Sequence, residues 1–371
     1  MKFLFVCGGT AGHINPALAV AEELHRVMPD AQIEFVGSGR ELENRLVPKA
    51  GYKLTNIKMS GLQRKISPGM ILHNVKTVKN LALASQKAGK ILREFNPDAV
   101  IGTGGYICYP VLKKAAKMKI PTVIHESNAV PGLTTKLLSA CADKVLVSFA
   151  GFEEQYKQPE RVIVTGTPVR RGFDNRDAGA LKPDLRPLVV SFWGSLGAAH
   201  MNEKMAEFIK LNVDSGLCSH IHAAGGQSSV EKLNKLLENL GVSEPLPRGI
   251  EIREYIDDMP LVMAAADIVL CRAGASTVAE LTALGKPAVI VPSPYVTNNH
   301  QEENAKQLEN AGGAVMLLEK DCTGAILYDT VLSILRDKDR FQSMSEAQKA
   351  MGDPGASLKI AELIISVVEI D

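Results

Sequence analysis

No apolar run in the 371 residues approaches the roughly 20 that a membrane-spanning helix needs, which argues against a bilayer-spanning protein. The opening Met1–Val6 leads straight into a glycine-rich turn. It lacks the longer apolar region and cleavage site of a signal peptide and reads as a first strand. Six cysteines, Cys7, Cys108, Cys141, Cys218, Cys271 and Cys322, are scattered without a C-x-x-C pair. The usual zinc and redox spacings are therefore missing, and reduced core residues of a cytoplasmic protein are expected.

Acidic residues are absent from one long stretch. Between Asn44 and Arg93 there are eleven Lys and Arg and no Asp or Glu, although the whole chain carries a formal charge of only +1. Met70-Ile71-Leu72, Val75, Val78 and Leu81–Leu83 place apolar residues there at roughly helical spacing. That pattern suits an amphipathic element resting on an anionic membrane surface, and equally a solvated basic helix. Nucleic acid fits less well, because only Tyr52 interleaves an aromatic ring with the charges.

What is present is a βα rhythm. Short apolar runs alternate with longer helical patterns, as in a doubly wound parallel α/β sheet, and the length calls for two domains. The first series of expected strands is Lys2–Cys7, Gln32–Val36, Ala99–Gly102, Thr122–His125, Lys144–Ser148 and Val162–Thr165. The second is Leu188–Phe192, His220–Ala223, Glu251–Tyr255, Asp267–Cys271, Ala288–Val291 and Ala314–Leu317. Two arrays imply two Rossmann-like domains, 1–168 and 169–352, with a Pro-rich stretch Gly166–Pro187 at their junction. A break at Gly352-Asp353-Pro354-Gly355 then frees a last helix, Ala356–Val368, to return to the first domain, which comprises 1–168 plus 353–371.

Several strand-to-helix turns have the composition of ligand sites. In Cys271–Glu280, C-R-A-G-A-S-T-V-A-E, Gly274 lets the backbone turn and Ser276 or Thr277 can cap the next helix. The positive end of that helix suits a phosphate, and Glu280 can accept from the hydroxyls of a diol. Any α/β fold also needs small residues at such a turn. Gly8–His13 precedes a helix that Asn15 would cap and Pro16 open. Its glycines match neither the dinucleotide fingerprint nor the P-loop. His13 is either a base for a hydroxyl nucleophile or a structural imidazole.

Gly102–Tyr106 can close on an anion or simply pack a strand on a helix, and Trp193–Ala198 is a second phosphate-sized nest in which Ser195 can also donate its hydroxyl. His125-Glu126-Ser127-Asn128 gathers four polar side chains at a strand end, where parallel sheets bind ligands. Arg170 is a natural cation for a diphosphate, with Arg171 as a spare, and Gln301 can reach a ligand hydroxyl. Asp337-Lys338-Asp339 lies in a charged helical stretch far from these turns, so no metal site is expected. No Ser-His-Asp set accompanies a nucleophile elbow.

Taken in order, these segments resemble the MurG family, bacterial glycosyltransferases that add N-acetylglucosamine to undecaprenyl-diphospho-muramoyl-pentapeptide (lipid I) to make lipid II for peptidoglycan. The resemblance rests on Gly8–His13 with Asn15–Ala19, Gly102–Tyr106, His125–Asn128 with Pro131–Thr134, and Pro168-Val169-Arg170. It continues through Gly194–Ala198, Tyr255–Met259, Arg272–Glu280, and Gln301 with Asn304-Ala305, and so spans nearly the whole chain. It implies the glycosyltransferase B architecture, two Rossmann-like domains facing across a cleft, working without metal or cofactor. UDP-N-acetylglucosamine would be held mainly by the second domain. Lipid I would be held by the first, on the cytoplasmic face of the plasma membrane as a peripheral protein.

Donor contacts implied by position are Thr10, Ala11, Gly12, Asn128, Arg170, Ser195, Ile256, Ala275, Ser276, Thr277, Val278, Ala279, Glu280 and Gln301. In that resemblance Glu280 binds the ribose diol, the backbone near Ile256 meets uracil, and Ser195 with the helix after Gly274 holds the diphosphate. His13 is similar to the family's candidate base for the C4 hydroxyl of the muramoyl sugar, in a single inverting displacement. Departures are Ala11 for a glycine, Ser127 for glutamine, Cys108-Tyr109 for a Ser-Gly pair, Thr167 for asparagine and Trp193 for glycine. A UDP-N-acetylglucosamine epimerase shares the architecture but has no need of the basic, apolar 44–93 segment. A diacylglycerol-type lipid glycosyltransferase is a closer competing function, and a non-catalytic, membrane-bound nucleotide-sugar sensor a more remote one.

Overall fold

The computed structural model describes residues 1–59, 68–173, 182, 184–194, 197–296 and 299–369, with backbone alone for 68–79. Two compact units divide the chain, Met1–Arg170 with Pro354–Asp371, and Arg171–Asp353. Of the Pro-rich stretch expected near their junction, residues 174–181 and 183 lie outside the described residues.

In the first unit, β1 (Lys2–Cys7), β2 (Gln32–Gly37), β3 (Lys53–Asn56), β4 (Ala99–Gly104), β5 (Thr122–Glu126), β6 (Lys144–Val147) and β7 (Val162–Val164) form a parallel sheet. Its order is β3-β2-β1-β4-β5-β6-β7. Around it lie α1 (Ala11–Val27), α2 (Glu41–Lys49), α3 (Pro68–Phe95), α4 (Cys108–Lys117) and α5 (Leu133–Leu138).

The second unit has β8 (Leu188–Phe192), β9 (Ser219–Ala223), β10 (Ile250–Arg253), β11 (Ile268–Cys271), β12 (Ala288–Ile290) and β13 (Ala314–Met316), in the order β10-β9-β8-β11-β12-β13. Its helices are α6 (Ala199–Ser215), α7 (Gln227–Asn239), α8 (Met259–Ala265), α9 (Ala275–Leu284), α10 (His300–Asn310), α11 (Gly324–Arg336) and α12 (Lys338–Met351). The last helix, α13 (Ala356–Val368), belongs to the first unit.

At the centre of the first sheet β1 forms because it is apolar on both faces. Phe3, Phe5 and Phe35 are fully buried, and Phe5 and Phe35 stack with ring centroids 5.2 Å apart. Each such side chain contributes roughly 1.5 to 3 kcal/mol by leaving water. On this face α13 adds Ile360, Ile364 and Val367 to the core, and Lys359 Nζ donates to Val164 O at 2.8 Å. On the other face Leu4, Val6 and Val100 pack with Ala84, Ala88 and Leu92, the inward stripe of α3.

The sequence missed β3, whose residues are all partly or fully exposed. It also carried the strand at β10 too far. Glu254 and Tyr255 are exposed, and Glu254 O turns away to accept from Gly225 N at 2.9 Å and Gly226 N at 3.0 Å.

What matters for function is where the strand order reverses. In each sheet the first strand lies between neighbours whose connections run to opposite sides, β1 between β2 and β4, and β8 between β9 and β11. The loops leaving two such adjacent strands diverge and leave room for a ligand beyond the carboxyl ends. In the first unit those loops carry Gly8–His13 and Gly105–Tyr106. In the second they carry Trp193–Ala198 and Arg272–Gly274.

Candidate active site

In the first unit the chain turns sharply after β1, through Gly9 at φ 94°. Helix α1 begins at Ala11, with Thr10 extended at its N-cap. The expected start at Asn15 and Pro16 is therefore corrected: both lie inside the helix. The reason is that Thr10 O already accepts from His13 N at 3.1 Å and Ile14 N at 3.2 Å, so the first turn closes before Asn15. Thr10, Ala11, Gly12 and His13 thus form the N-terminal end of α1, where the N–H groups of the leading residues, before His13, precede the first helical bond.

His13 Nδ1 lies 2.9 Å from Gly8 O, a carbonyl that can only accept. In the neutral ring Nδ1 is therefore the nitrogen that carries the proton, and Nε2 the one with the lone pair. Thr103 Oγ1 donates to His13 O at 2.7 Å, tying this turn to β4. The glycines of β4 and its loop permit that contact. A Cβ on Gly104 would lie 2.4 Å from His13 Cδ2, and one on Gly105 would lie 2.4 Å from Gly8 O.

Beneath this turn sits a residue that the sequence did not single out. Glu43 is completely buried, and its two oxygens accept from Gly9 N at 2.7 Å, Ser38 Oγ at 2.6 Å, Ser38 N at 2.6 Å, Gly39 N at 2.9 Å and Arg40 N at 3.3 Å. It ties the loop after β2 to the loop after β1. A glutamate in the first turn of a helix behind Ser38-Gly39-Arg40 is the local signal, since that position reaches back to preceding amides. Nothing local indicates Gly9, which is 34 residues away.

The polar strand end at His125–Asn128 is largely spent on its own turn. Glu126 accepts from Asn128 Nδ2 at 2.9 Å, Gly132 N at 2.9 Å and Thr135 Oγ1 at 2.7 Å, and only 5% of it is exposed. His125 Nε2 donates to Gly166 O at 3.1 Å, so Nδ1 accepts from Ser127 Oγ at 3.2 Å. Burial lowers the His125 pKa, favouring the neutral ring. Asn128 is only partly buried, and Arg170 is exposed at the end of the unit.

In the second unit, Ser195 and its neighbour Leu196 lie outside the described residues. Gly194 and Gly197 flank them at φ 88° and 67°, in the left-handed region. Helix α9 starts at Ala275 with Gly274 as its N-cap, and Val278 N donates to Gly274 O at 2.9 Å. Ser276 and Thr277 therefore stand inside the first turn and do not cap it. With no side-chain cap and no acid in that turn, the first amides of α9 face an open position suited to an anion. Ala275, Val278 and Ala279 are buried, so from these positions the backbone is what can reach a ligand.

A cavity of about 390 Å³ brings together Gly194 and Gly197 from the turn after β8, Gly274 and Thr277 from the start of α9, and Gln301 from the start of α10. Gln301 Oε1 accepts from Ser293 N at 2.9 Å, leaving its NH2 as the donor. Ile256, 1% exposed, follows β10, and Glu280 sits partly buried within α9.

Arg272, which also lines this cavity, is held from several sides. It donates to Val291 O at 3.0 Å and Pro292 O at 3.3 Å, and pairs with Glu319 at 2.6 Å. Its guanidinium also stands 5.8 Å from the centroid of the Trp193 ring. Glu319 was missed because no local pattern links it to a residue so distant in sequence. Asp337 and Asp339 are exposed, and Asp337 caps α12 by accepting from Arg340 N at 3.0 Å. Among the described residues no group of three His, Cys, Asp or Glu could hold a metal ion.

The comparison with known proteins agrees with this layout. The glycosyltransferase family 28 N-terminal domain matches residues 3–147 and the glycosyltransferase family 28 C-terminal domain matches residues 188–360. The "UDP-N-acetylglucosamine--N-acetylmuramyl-(pentapeptide) pyrophosphoryl-undecaprenol N-acetylglucosamine transferase" of Acetivibrio thermocellus is 42% identical over 374 residues, covering 100% of this chain and 99% of the relative. The chain belongs to the MurG family.

A protein of the same description from Caldanaerobacter subterraneus is 41% identical over 99% of this chain and 100% of its own. Among solved structures, MurG of Acinetobacter baumannii matches with a TM-score of 0.75 at 27% identity, over 98% of this chain and 99% of that one. The UDP-GlcNAc 2-epimerase of Neisseria meningitidis, bound to UDP-GlcNAc, matches with a TM-score of 0.66 at 15% identity, over 99% of this chain and 100% of that one. At that identity the likeness is one of fold alone. As a MurG-family chain the protein is a glycosyltransferase built on two parallel Rossmann-like sheets.

Proposed function

We propose that this chain transfers N-acetylglucosamine from UDP-N-acetylglucosamine to the C4 hydroxyl of the muramoyl sugar of lipid I, forming lipid II for peptidoglycan synthesis, with inversion and without metal. The observation that carries this reading is the 42% identity, along the whole chain, to a transferase whose name states that reaction. His13 is the base: its Nδ1–H rests on Gly8 O, and Nε2 takes the proton of the attacking hydroxyl. The first amides of α9, with Arg170 and Ser195, hold the diphosphate and stabilise UDP as it departs.

Glu280 binds the ribose, the backbone at Ile256 meets uracil, and Gln301 donates to the transferred sugar. Thr10, Ala11, Gly12 and Asn128 complete the donor contacts. The basic segment 44–93 rests on an anionic leaflet as a peripheral anchor. Its residues 60–67 lie outside the described residues, as do the side chains of 68–79, and no helix among the described residues is long and apolar enough to cross a membrane.

The test is to incubate the purified protein with labelled UDP-N-acetylglucosamine and lipid I in the presence of a chelator. Labelled lipid II is expected. Transfer to diacylglycerol instead, or release of epimerised free sugar, overturns the assignment.

A further inference from the structure

Four buried polar side chains of the second unit have no part in the reaction described above. Ser191 on β8 and His220 and His222 on β9 are 0% exposed, and Asn202 on α6 is 6% exposed. They touch in a row. Ser191 Oγ lies 2.7 Å from His220 Nε2 and 2.7 Å from His222 Nδ1, His222 Nε2 lies 3.2 Å from Asn202 Oδ1, and Asn202 Nδ2 donates to Ala224 O at 2.9 Å.

The end of the row fixes every proton in it. Ala224 O can only accept, so the Asn202 NH2 faces it and Oδ1 accepts from His222 Nε2–H. His222 Nδ1 is then the acceptor for the Ser191 hydroxyl proton. Ser191 Oγ accepts in turn from His220 Nε2–H. His220 Nδ1 is left as an acceptor without a donor, beside the ring of Phe208 at a centroid distance of 5.1 Å. A row with one proton order holds its members in one arrangement, because reversing any link leaves a buried polar group unpaired.

The row ends at a point that the sugar-nucleotide site depends on. Gly197, which lines the cavity, is seated directly on Ala224: a Cβ on Gly197 would fall 2.2 Å from Ala224 O. Asn202 also donates its own N–H to Ala198 O at 2.9 Å, so one residue holds the start of α6 and the carbonyl on which Gly197 rests. We propose that Asn202, set in place by His222 and Ser191, is a positioning residue for the donor diphosphate: it fixes Ala224 O and thereby the backbone of Gly197 and Ala198 that faces the anion. This rests on the reading of the turn after β8 as part of the diphosphate site.

The experiment measures binding of UDP and of uridine to the full-length protein by calorimetry, for the wild type and for N202A. The wild type binds UDP more tightly than uridine. N202A is expected to weaken UDP by about tenfold, the order of one lost hydrogen bond and its geometry, while uridine stays within about twofold. A general loss of structure would weaken both ligands alike, and that result overturns the proposal, as does unchanged UDP affinity in a folded N202A. If N202A shows no cooperative melt, N202D is judged by the same ratio, since it keeps the size and loses the donor to Ala224 O. Equal wild-type affinities for UDP and uridine overturn the reading of the turn itself.

Discussion

Gly104 and His13 approach so closely that a Cβ on Gly104 would stand 2.4 Å from His13 Cδ2 and 2.8 Å from Nε2. Gly104 also has φ 120°, where a side chain is strained whatever the space. The Gly104→Ala change therefore pushes the imidazole off the Gly8 carbonyl that orients it. Turnover should fall by more than about tenfold, approaching the roughly 10²- to 10⁴-fold loss of a general base expected for His13→Ala. UDP affinity should stay within about twofold. Steady-state kinetics with calorimetry of UDP binding checks this, and equal losses in kcat and in UDP binding would contradict it.

Glu43 holds the loops after β1 and β2 together with five bonds on two oxygens, all in a fully buried position. Glu43→Gln keeps the shape but turns an NH2 group towards amides that can only donate. With buried donors left unpaired, the fold should lose roughly 3 to 5 kcal/mol. Chemical denaturation of the variant against the parent measures it, and a loss below about 1 kcal/mol would mean that the two loops do not depend on the carboxylate.

How much of this was open to sequence reasoning follows from the range of each interaction. Buried parallel strands such as Phe3–Cys7 and Ile268–Cys271 announce themselves, because both faces are apolar and the run is unbroken. Lys53–Asn56 does not, since an exposed edge strand has only Leu54 as an apolar marker. Turn chemistry identifies Gly8–His13 and Gly274–Glu280 as helix entrances, but Asn15, and Ser276 or Thr277, read as caps although backbone bonds already close the first turn. Glu43 under Gly9 and Glu319 against Arg272 are matters of tertiary distance, which periodicity does not carry. Ser219–Ala223 is instructive in another way. Alternating His220 and His222 resemble a wet face, yet both are buried because Ser191 and Asn202 satisfy them.

The pair Arg272 and Glu319 is 2.6 Å apart with side-chain exposures of 8% and 11%. Removing one partner of such a pair strands the other charge. Glu319→Ala should cost roughly 3 to 5 kcal/mol, whereas replacing both by apolar residues of similar volume, Arg272→Met with Glu319→Leu, should recover most of it. A double-mutant cycle on unfolding free energies decides. Additive losses would show that the two charges are not coupled in the folded chain.

His222 ties the second unit's stability to pH. Burial lowers its pKa from 6.5 to about 4, and pushes that of His220 well below its ordinary value. A group whose folded pKa is depressed in this way is neutral in the fold and takes up a proton more readily when unfolded. Near pH 7.5 neither state is charged there and the imidazole contributes nothing to the pH dependence. As pH falls below about 6.5 the unfolded chain gains protons that the fold refuses, so stability declines until about pH 4, by roughly 3 kcal/mol for His222 alone. The carboxylates titrate in the lower part of the same window, so the measurement is a difference. Urea unfolding between pH 7.5 and 4.5 is compared for the wild type and His222→Gln. The variant starts less stable, having lost a member of the row, but should decline less steeply between pH 6.5 and 4.5. Parallel slopes would mean that His222 is as easily protonated in the fold as outside it, and the proton order along Ser191, His222 and Asn202 would then be wrong.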